Sequence, residues 1–79
     1  METKEIKERI TPIAREVFKM PDLVLIESLD ATQIDTWTSL SFMLLLSKVE
    51  EEFGFKFKMI ELLKIRNIGN LIQAVSSHI

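Results

Sequence analysis

The chain has 79 residues, a formal net charge of −2 and 47% hydrophobic residues, which fit one folded domain over residues 1–79 and exclude a disordered chain. Cysteine is absent, which excludes disulfides, thiolate nucleophiles and thiolate metal sites. The lone histidine, His78, excludes an ordinary His-based triad and a multi-histidine metal site, and we expect it to be a surface residue near a mobile end of the chain. Because no nucleophile–base pair can be assembled from these residues, we expect neither catalysis nor a bound metal.

No segment has the pattern of a targeting signal or a membrane span. Met1–Glu5 is charged rather than apolar, unlike a secretory signal. The most apolar run, Leu40–Leu46, is far shorter than the roughly 20 residues that span a bilayer. We therefore expect a cytoplasmic, monomeric protein with no membrane span.

A first helix is predicted by apolar residues at the spacing of one buried helical face, namely Ile6, Ile10, Ile13 and Val17. Glu5 and Arg9, four residues apart, are expected to form a supporting pair on the other face. Pro12 removes a backbone donor, so either the helix kinks there or a new helix begins with Thr11 as its cap. Since the apolar face keeps its phase across the proline, we expect one kinked helix that ends at Met20–Asp22.

A long loop over residues 21–38 follows. Its apolar residues are expected to hold it across the bundle; they are Leu23, Val24, Leu25, Ile26 and Leu29. A structured loop of this length is uncommon in a compact domain unless it serves a function.

The second helix is predicted from Ser39 to Phe53, with Gly54 supplying the left-handed position that ends it. One stripe of apolar residues can fill the core, namely Phe42, Leu45, Leu46, Val49 and Phe53. A second stripe, aligned with Ser39, consists of Leu40, Met43, Leu44 and Ser47. Either a small bundle covers this helix on several sides, or the second stripe is an exposed patch that binds partners.

Two shorter elements complete the chain. Phe55–Lys58 is expected to be an extended connector, and a short helix is predicted at about Met59–Leu63. Asn67 is expected to cap a last helix, in which Gly69 allows close packing and the apolar face consists of Ile68, Leu71, Ile72 and Val75. The fold class is therefore predicted to be all-α: a small four-helix bundle with three long helices, one short helix and a long loop between helices 1 and 2.

Charge is distributed unevenly along the sequence. Residues 27–54 contain six acids and one base, a net charge of −5, whereas residues 55–79 contain one acid and four bases, a net charge of +3. A partner that docks near Ser39 should therefore be basic. The basic segment also raises the alternative of a small DNA-binding protein that uses Lys56, Lys58, Lys64 and Arg66, although four cations make a weak footprint and we expect no nucleic-acid partner.

Ser39 is the residue in the chain that most suggests a site. It follows a polar loop and begins an apolar helix, where free backbone N–H groups and the helix dipole favour an anion such as a phosphodiester. Serine at such a position is usually only a cap, so the flanking residues decide the interpretation.

The order of the elements and the residues around Ser39 resemble the acyl carrier protein family, over about Ile6–Val75. In that family the second helix opens with Asp-Ser-Leu and ends in an acidic cluster before Phe-Gly. Here Ser39-Leu40 matches the opening, Glu50–Gly54 matches the end without a gap, and Ile68-Gly69 matches the start of the last helix.

The resemblance implies a non-catalytic carrier. A phosphopantetheinyl transferase would move 4′-phosphopantetheine from coenzyme A to Ser39, and its thiol would hold an acyl group as a thioester for a loading ligase, ketosynthase or acyltransferase. Partner-binding residues would be Leu40, Met43, Leu44, Ser47, Glu50 and Glu51. In many members the acyl chain folds between the last three helices, where the candidate lining residues are Leu45, Val49, Ile65, Ile68 and Leu71.

Two departures from the family pattern are present: the first favours a module that is never modified, and the second points to a specialised pathway, of the fatty acid or polyketide type. Thr38 replaces the aspartate before the serine, and Leu44 stands where an acid is usual. Two alternatives stay open: an aminoacyl or peptidyl carrier, such as a D-alanine carrier, and a carrier-like interaction module that is never modified.

Overall fold

The computed structural model describes all 79 residues and contains four helices joined by ordered loops. They are α1 (Thr3–Val17), α2 (Ser39–Phe53), α3 (Met59–Lys64) and α4 (Ile68–Ser76). The predicted all-α four-helix class is confirmed, with α4 shorter than expected at nine residues. Both α2 and α4 pack against α1, so α1 is the central support of the bundle.

The first helix is a single helix through Pro12, as predicted, but it ends at Val17, before the expected end at Met20–Asp22. Thr11 does not cap a new helix, because its hydroxyl donates to the carbonyl of Lys7 at 2.7 Å. The expected Glu5–Arg9 pair is wrong: Arg9 Nε donates to Glu52 Oε2 at 2.9 Å, and its guanidinium lies 4.4 Å from the ring centre of Phe53. Arg9 therefore joins α1 to the end of α2 and does not support its own helix.

The core consists of 19 buried residues, all hydrophobic. The long loop takes part in it, since its inward side chains are Leu23, Leu25, Leu29, Ile34 and Trp37. Backbone contacts fix the loop to the start of α4, where Gly69 N donates to Glu27 O at 2.8 Å. A β-carbon at Gly69 would lie 3.1 Å from that carbonyl oxygen, so the predicted need for a small residue is confirmed.

The connector between α2 and α3 is extended, as expected, and is fixed from two sides. Phe57 N donates to Glu50 Oε2 at 2.7 Å. The His78 ring stacks on Phe55 with centres 4.4 Å apart, and His78 Nε2 lies 2.8 Å from Glu61 Oε1. The expectation that His78 is a plain surface residue is therefore wrong, because tertiary contacts join it to the connector and to α3.

Glu61 lies on the inner side of α3, where two hydrogen bonds favour its ionised form. Its carboxylate accepts the backbone N–H of Lys58 at 2.7 Å and contacts His78. These two hydrogen bonds, the first being the larger cause, lower the pKa of Glu61 below its ordinary value. The carboxylate thus fixes both the start of α3 and the end of the chain.

Candidate functional site

Ser39 is the first residue of α2 and follows a complete helix cap. Ser41 N donates to Thr38 Oγ1 at 3.2 Å, and Thr38 N donates to Ser41 Oγ at 2.8 Å, so the two residues cap each other. The capping role that serine usually has at a helix start is therefore filled by Thr38. Ser39 is exposed, and its hydroxyl has no hydrogen-bond partner in the chain.

The backbone that leads into Ser39 is anchored by Trp37. Its indole is buried and stacked between two rings, 5.0 Å from Phe18 and 5.3 Å from Phe42. The Ser41 hydroxyl also donates to the carbonyl of Thr36 at 2.7 Å. These contacts hold the end of the loop against the first turn of α2, so the Ser39 hydroxyl occupies a defined position.

The start of α2 is suited to an anion. The backbone N–H groups of Ser39 and Leu40 have no acceptor in the chain, and the first turn contains no acidic residue. Free N–H groups and the positive end of the helix dipole stabilise a phosphate at such a place. The residues present therefore fit a phosphodiester on the Ser39 oxygen.

The second stripe of α2 is exposed, which answers the question that the sequence left open. Leu40 is 78% exposed, Met43 67% and Leu44 48%. Ser47 and Glu51 are exposed on the same helix. Glu50 differs, because its carboxylate is half-buried and accepts the backbone N–H of Phe57.

A groove of about 770 Å³ runs beside Ser39, between the end of α1 and the start of α2. It is lined by Val17, Lys19, Asp35, Thr36, Thr38, Leu40, Ser41, Met43 and Leu44. Sequence reasoning missed the groove, because half of it comes from α1 and the loop. Lys19, which lines the groove just after the end of α1, has a positive φ of 57°. The sequence gives no indication of this backbone conformation.

The five candidate acyl-lining residues lie together, and all of them belong to the closely packed core. Leu45, Val49, Ile65, Ile68 and Leu71 are each at most 5% exposed. The nearest surface cavity, about 300 Å³ between α3 and α4, touches only Ile65 of the five. The interior thus contains no large space next to these side chains.

The outer side of α3 forms a second exposed apolar surface that sequence reasoning missed. Met59, Ile60 and Leu63 are 75%, 61% and 71% exposed. At about 100° per residue these three share one arc of the helix, whereas Glu61 is half-buried on the inner side. The spacing of these three apolar residues along α3 was visible in the sequence. A helix of six residues is too short for that spacing to show which side packs against the core.

Comparison with known proteins identifies the family. A family model described as a phosphopantetheine attachment site matches residues 8–75. The chain belongs to this family. The solution structure of a holo acyl carrier protein from Geobacter metallireducens is 38% identical, with a TM-score of 0.83, and the alignment covers 90% of this chain and 82% of that one.

A putative acyl carrier protein from Mycobacterium tuberculosis is similar in fold, with a TM-score of 0.83 at 16% identity over 94% of this chain and 99% of that chain. No curated protein matches the sequence. The chain is thus an acyl-carrier-like carrier domain, and its prosthetic group is a covalently attached 4′-phosphopantetheine.

Carrier domains of this kind are generally non-catalytic and interact with enzymes that modify them and with biosynthetic enzymes. None of the four helices is both long and apolar enough to cross a membrane.

Proposed function

We propose that this protein is an acyl carrier protein whose 4′-phosphopantetheine is attached to Ser39. The observation behind the proposal is the exposed, unpaired Ser39 hydroxyl directly after the Thr38 cap. Because Thr38 and Ser41 cap the helix, Ser39 is free to be modified without loss of a structural hydrogen bond. The thiol of the arm supplies the point at which an acyl group is held as a thioester.

Attachment is a phosphoryl transfer in which Ser39 is the nucleophile. The Ser39 oxygen forms a bond to the phosphorus next to pantetheine in coenzyme A, the pyrophosphate bond breaks, and adenosine 3′,5′-bisphosphate leaves. The serine proton goes to a base of the transferase. The free N–H groups of Ser39 and Leu40 then face the new phosphodiester and stabilise its negative charge.

Because Thr38 stands in place of the usual aspartate, the residue before Ser39 presents no negative charge to the transferase. The Thr38 hydroxyl accepts a hydrogen bond from Ser41 N, so it caps the helix but brings no carboxylate. Asp35 lines the same groove, and its side chain has no partner in the chain. We infer that Asp35 supplies the negative charge that the transferase meets beside Ser39.

The proposed partner surface consists of Leu40, Met43, Leu44, Ser47, Glu50 and Glu51. Exposure of the three apolar side chains supports it, and the acidic segment favours partners with basic docking surfaces. Those partners are the transferase and an acyl-loading ligase, ketosynthase or acyltransferase. The apolar Leu44 in the middle of this surface supports a specialised pathway of the fatty acid or polyketide type.

Intact mass tests the attachment directly. The wild type is incubated with coenzyme A, magnesium and a broad-specificity phosphopantetheinyl transferase, beside Ser39→Ala and Ser28→Ala. Ser28 is the matched control because it is an exposed serine outside the proposed partner surface. We expect one phosphopantetheine on the wild type and on Ser28→Ala, and none on Ser39→Ala.

Modification of Ser39→Ala would refute Ser39 as the site. If aminoacyl ligases load the arm and acyl ligases do not, the protein is an aminoacyl carrier and not an acyl carrier.

A further inference from the structure

The outer side of α3 combines three exposed apolar side chains with a lysine. Met59, Ile60 and Leu63 share one arc of the helix. At about 100° per residue, Lys64 lies about 40° beyond Ile60 on the same side, and all four residues are exposed. Long apolar side chains that lie together in water indicate a binding surface. The lysine at their edge indicates the charge of the partner that this surface binds.

The charge that α3 presents to solvent is positive. Three exposed cations in and beside this helix form no ion pair, namely Lys58, Lys64 and Arg66. Lys56 is less available, because its ammonium lies 3.9 Å from Glu50 Oε1. Glu61 is the one acid in residues 55–79, and its half-buried carboxylate is engaged in hydrogen bonds on the inner side of α3. The apolar arc is therefore flanked by cations that no carboxylate of the helix offsets.

The shape of this surface also restricts its partner. Met59, Ile60 and Leu63 line none of the larger grooves, so the surface does not enclose a small molecule. It suits a partner into which its side chains insert. A lipid bilayer takes up apolar side chains below its headgroups and meets cations at its anionic surface. Lysine side chains reach such headgroups while their methylene groups stay among apolar neighbours.

We propose that the outer side of α3 docks this protein on an anionic lipid surface. The three apolar side chains enter between the headgroups, and the three unpaired cations contact lipid phosphates. An acidic protein is the less suitable occupant, because it would need a groove shaped to a helix of six residues. A bilayer adapts to inserted side chains without such a groove.

The opposite charges of the chain orient the docked protein. Residues 27–54, which contain α2, carry six acids and one base, so an anionic lipid surface repels the α2 surface while it attracts α3. Ser39 and the exposed residues of α2 thus stay available to enzymes while α3 is docked. Docking of α3 does not depend on attachment of the arm to Ser39.

Co-sedimentation of the full chain with lipid vesicles tests the proposal. One set of vesicles contains phosphatidylcholine alone, and the other also contains phosphatidylglycerol. We expect binding to the anionic vesicles and about tenfold or weaker binding to the neutral ones, since each cation near an anionic surface contributes about a factor of five. Ile60→Ser should weaken binding to the anionic vesicles about tenfold through lost apolar burial. Lys64→Gln should weaken it about fivefold.

Val24→Ser and Lys4→Gln are the matched controls. Val24 is a β-branched residue of the loop before α2 and is 69% exposed, close to the 61% of Ile60. Lys4 is an exposed lysine of α1. Because both residues lie outside α3, both variants should bind the anionic vesicles as the wild type does.

Equal weakening by the controls would overturn α3 as the docking surface, and equal binding to both kinds of vesicle would overturn the role of its cations. Absence of binding by the folded protein would overturn the proposal and leave an acidic protein as the occupant. None of these results depends on whether Ser39 is modified, so their failure would leave the proposed function intact.

Discussion

The outer sides of α2 and α3 are alike in hydrophobicity and opposite in charge. Each exposes three long apolar side chains, Leu40, Met43 and Leu44 on one helix and Met59, Ile60 and Leu63 on the other. The α2 surface lies in a segment with six acids and one base, and the α3 surface in one with one acid and four bases.

The two surfaces also differ in shape. The α2 side chains border the groove shared with α1 and follow a free serine hydroxyl, whereas Met59, Ile60 and Leu63 line none of the larger grooves. Exposed apolar residues alone therefore do not define an attachment site here. The combination of a groove and a free serine hydroxyl at the helix start distinguishes α2 from α3.

Leu44→Ala and Ile60→Ala give the largest contrast between the two surfaces. If partners dock on α2 with Leu44 as a central apolar anchor, Leu44→Ala should weaken binding to the transferase about tenfold or more, as truncation of such an anchor does. Ile60→Ala should change it little. Both residues are exposed, so the free energy of unfolding should stay within roughly 0.5 kcal/mol of wild type.

Calorimetric titration and thermal melting measure these two quantities. Equal weakening by both variants would mean that partners contact both helices. A large fall in melting temperature for Leu44→Ala would mean that this leucine stabilises the fold.

Thr38→Asp tests whether the missing carboxylate limits attachment. An exposed ion pair contributes about 0.2–1 kcal/mol, so we expect the attachment rate to rise by a factor of about 1.5–5. The helix should keep its cap, because aspartate is as good a cap as threonine. The rate is followed by intact mass over time.

Asp35→Asn is the converse variant and should slow attachment by a similar factor, since its carboxylate lies in the groove beside Ser39. If neither variant changes the rate, negative charge beside Ser39 is unimportant to the transferase.

Charge reversal tests the electrostatic half of the comparison. Glu51→Lys should slow association with a basic partner at low salt, and Lys64→Glu should speed it slightly, because rim charges act mainly on the association rate. Both effects should shrink at 0.15 M salt, where the screening length is about 8 Å. Stopped-flow mixing at two salt concentrations measures them, and rates that do not depend on salt would show that docking relies on apolar contact alone.

Acidification should weaken the contacts that hold α3 more than those that hold α2. The resulting change in the free energy of unfolding is the smallest effect we expect. The pKa of Glu61 is lowered by Lys58 N–H and then by His78, so its contribution to stability is present at pH above its unfolded pKa. That contribution is lost as the pH falls through the lower folded pKa.

Chemical unfolding of wild type and Glu61→Gln should therefore show a difference at pH 7 that shrinks toward pH 3. Glu51→Gln, which alters an exposed carboxylate without a side-chain partner, serves as the control. A difference that grows on acidification would contradict the sign of the pKa shift.

Local sequence determined the four helices and most of their ends, although α1 ends at Val17 and not at Met20–Asp22 as expected. The predicted span of α2 is confirmed at both ends, because Thr38 caps it and Gly54 adopts the left-handed conformation with a φ of 74°. Asn67 caps α4 as predicted, by accepting from Asn70 N. These features depend on a few neighbouring residues, so they can be read directly from the order of residue types.

Contacts between distant residues could not be predicted in this way. Arg9 pairs with Glu52, 43 residues away, and not with Glu5 as its spacing suggested. His78 contacts Glu61, 17 residues away. Nothing local distinguishes these partners from others, because long flexible side chains reach whatever charge the packed chain brings near.

The sequence by itself determined the helical class, the position of Ser39 at the start of α2 and the family resemblance, since each depends on spacing along the chain. Only the tertiary structure decided that the second stripe of α2 is exposed and that a groove opens beside Ser39. Both depend on how α1 and the loop pack against α2, and close packing of a whole core is a property of all its members together.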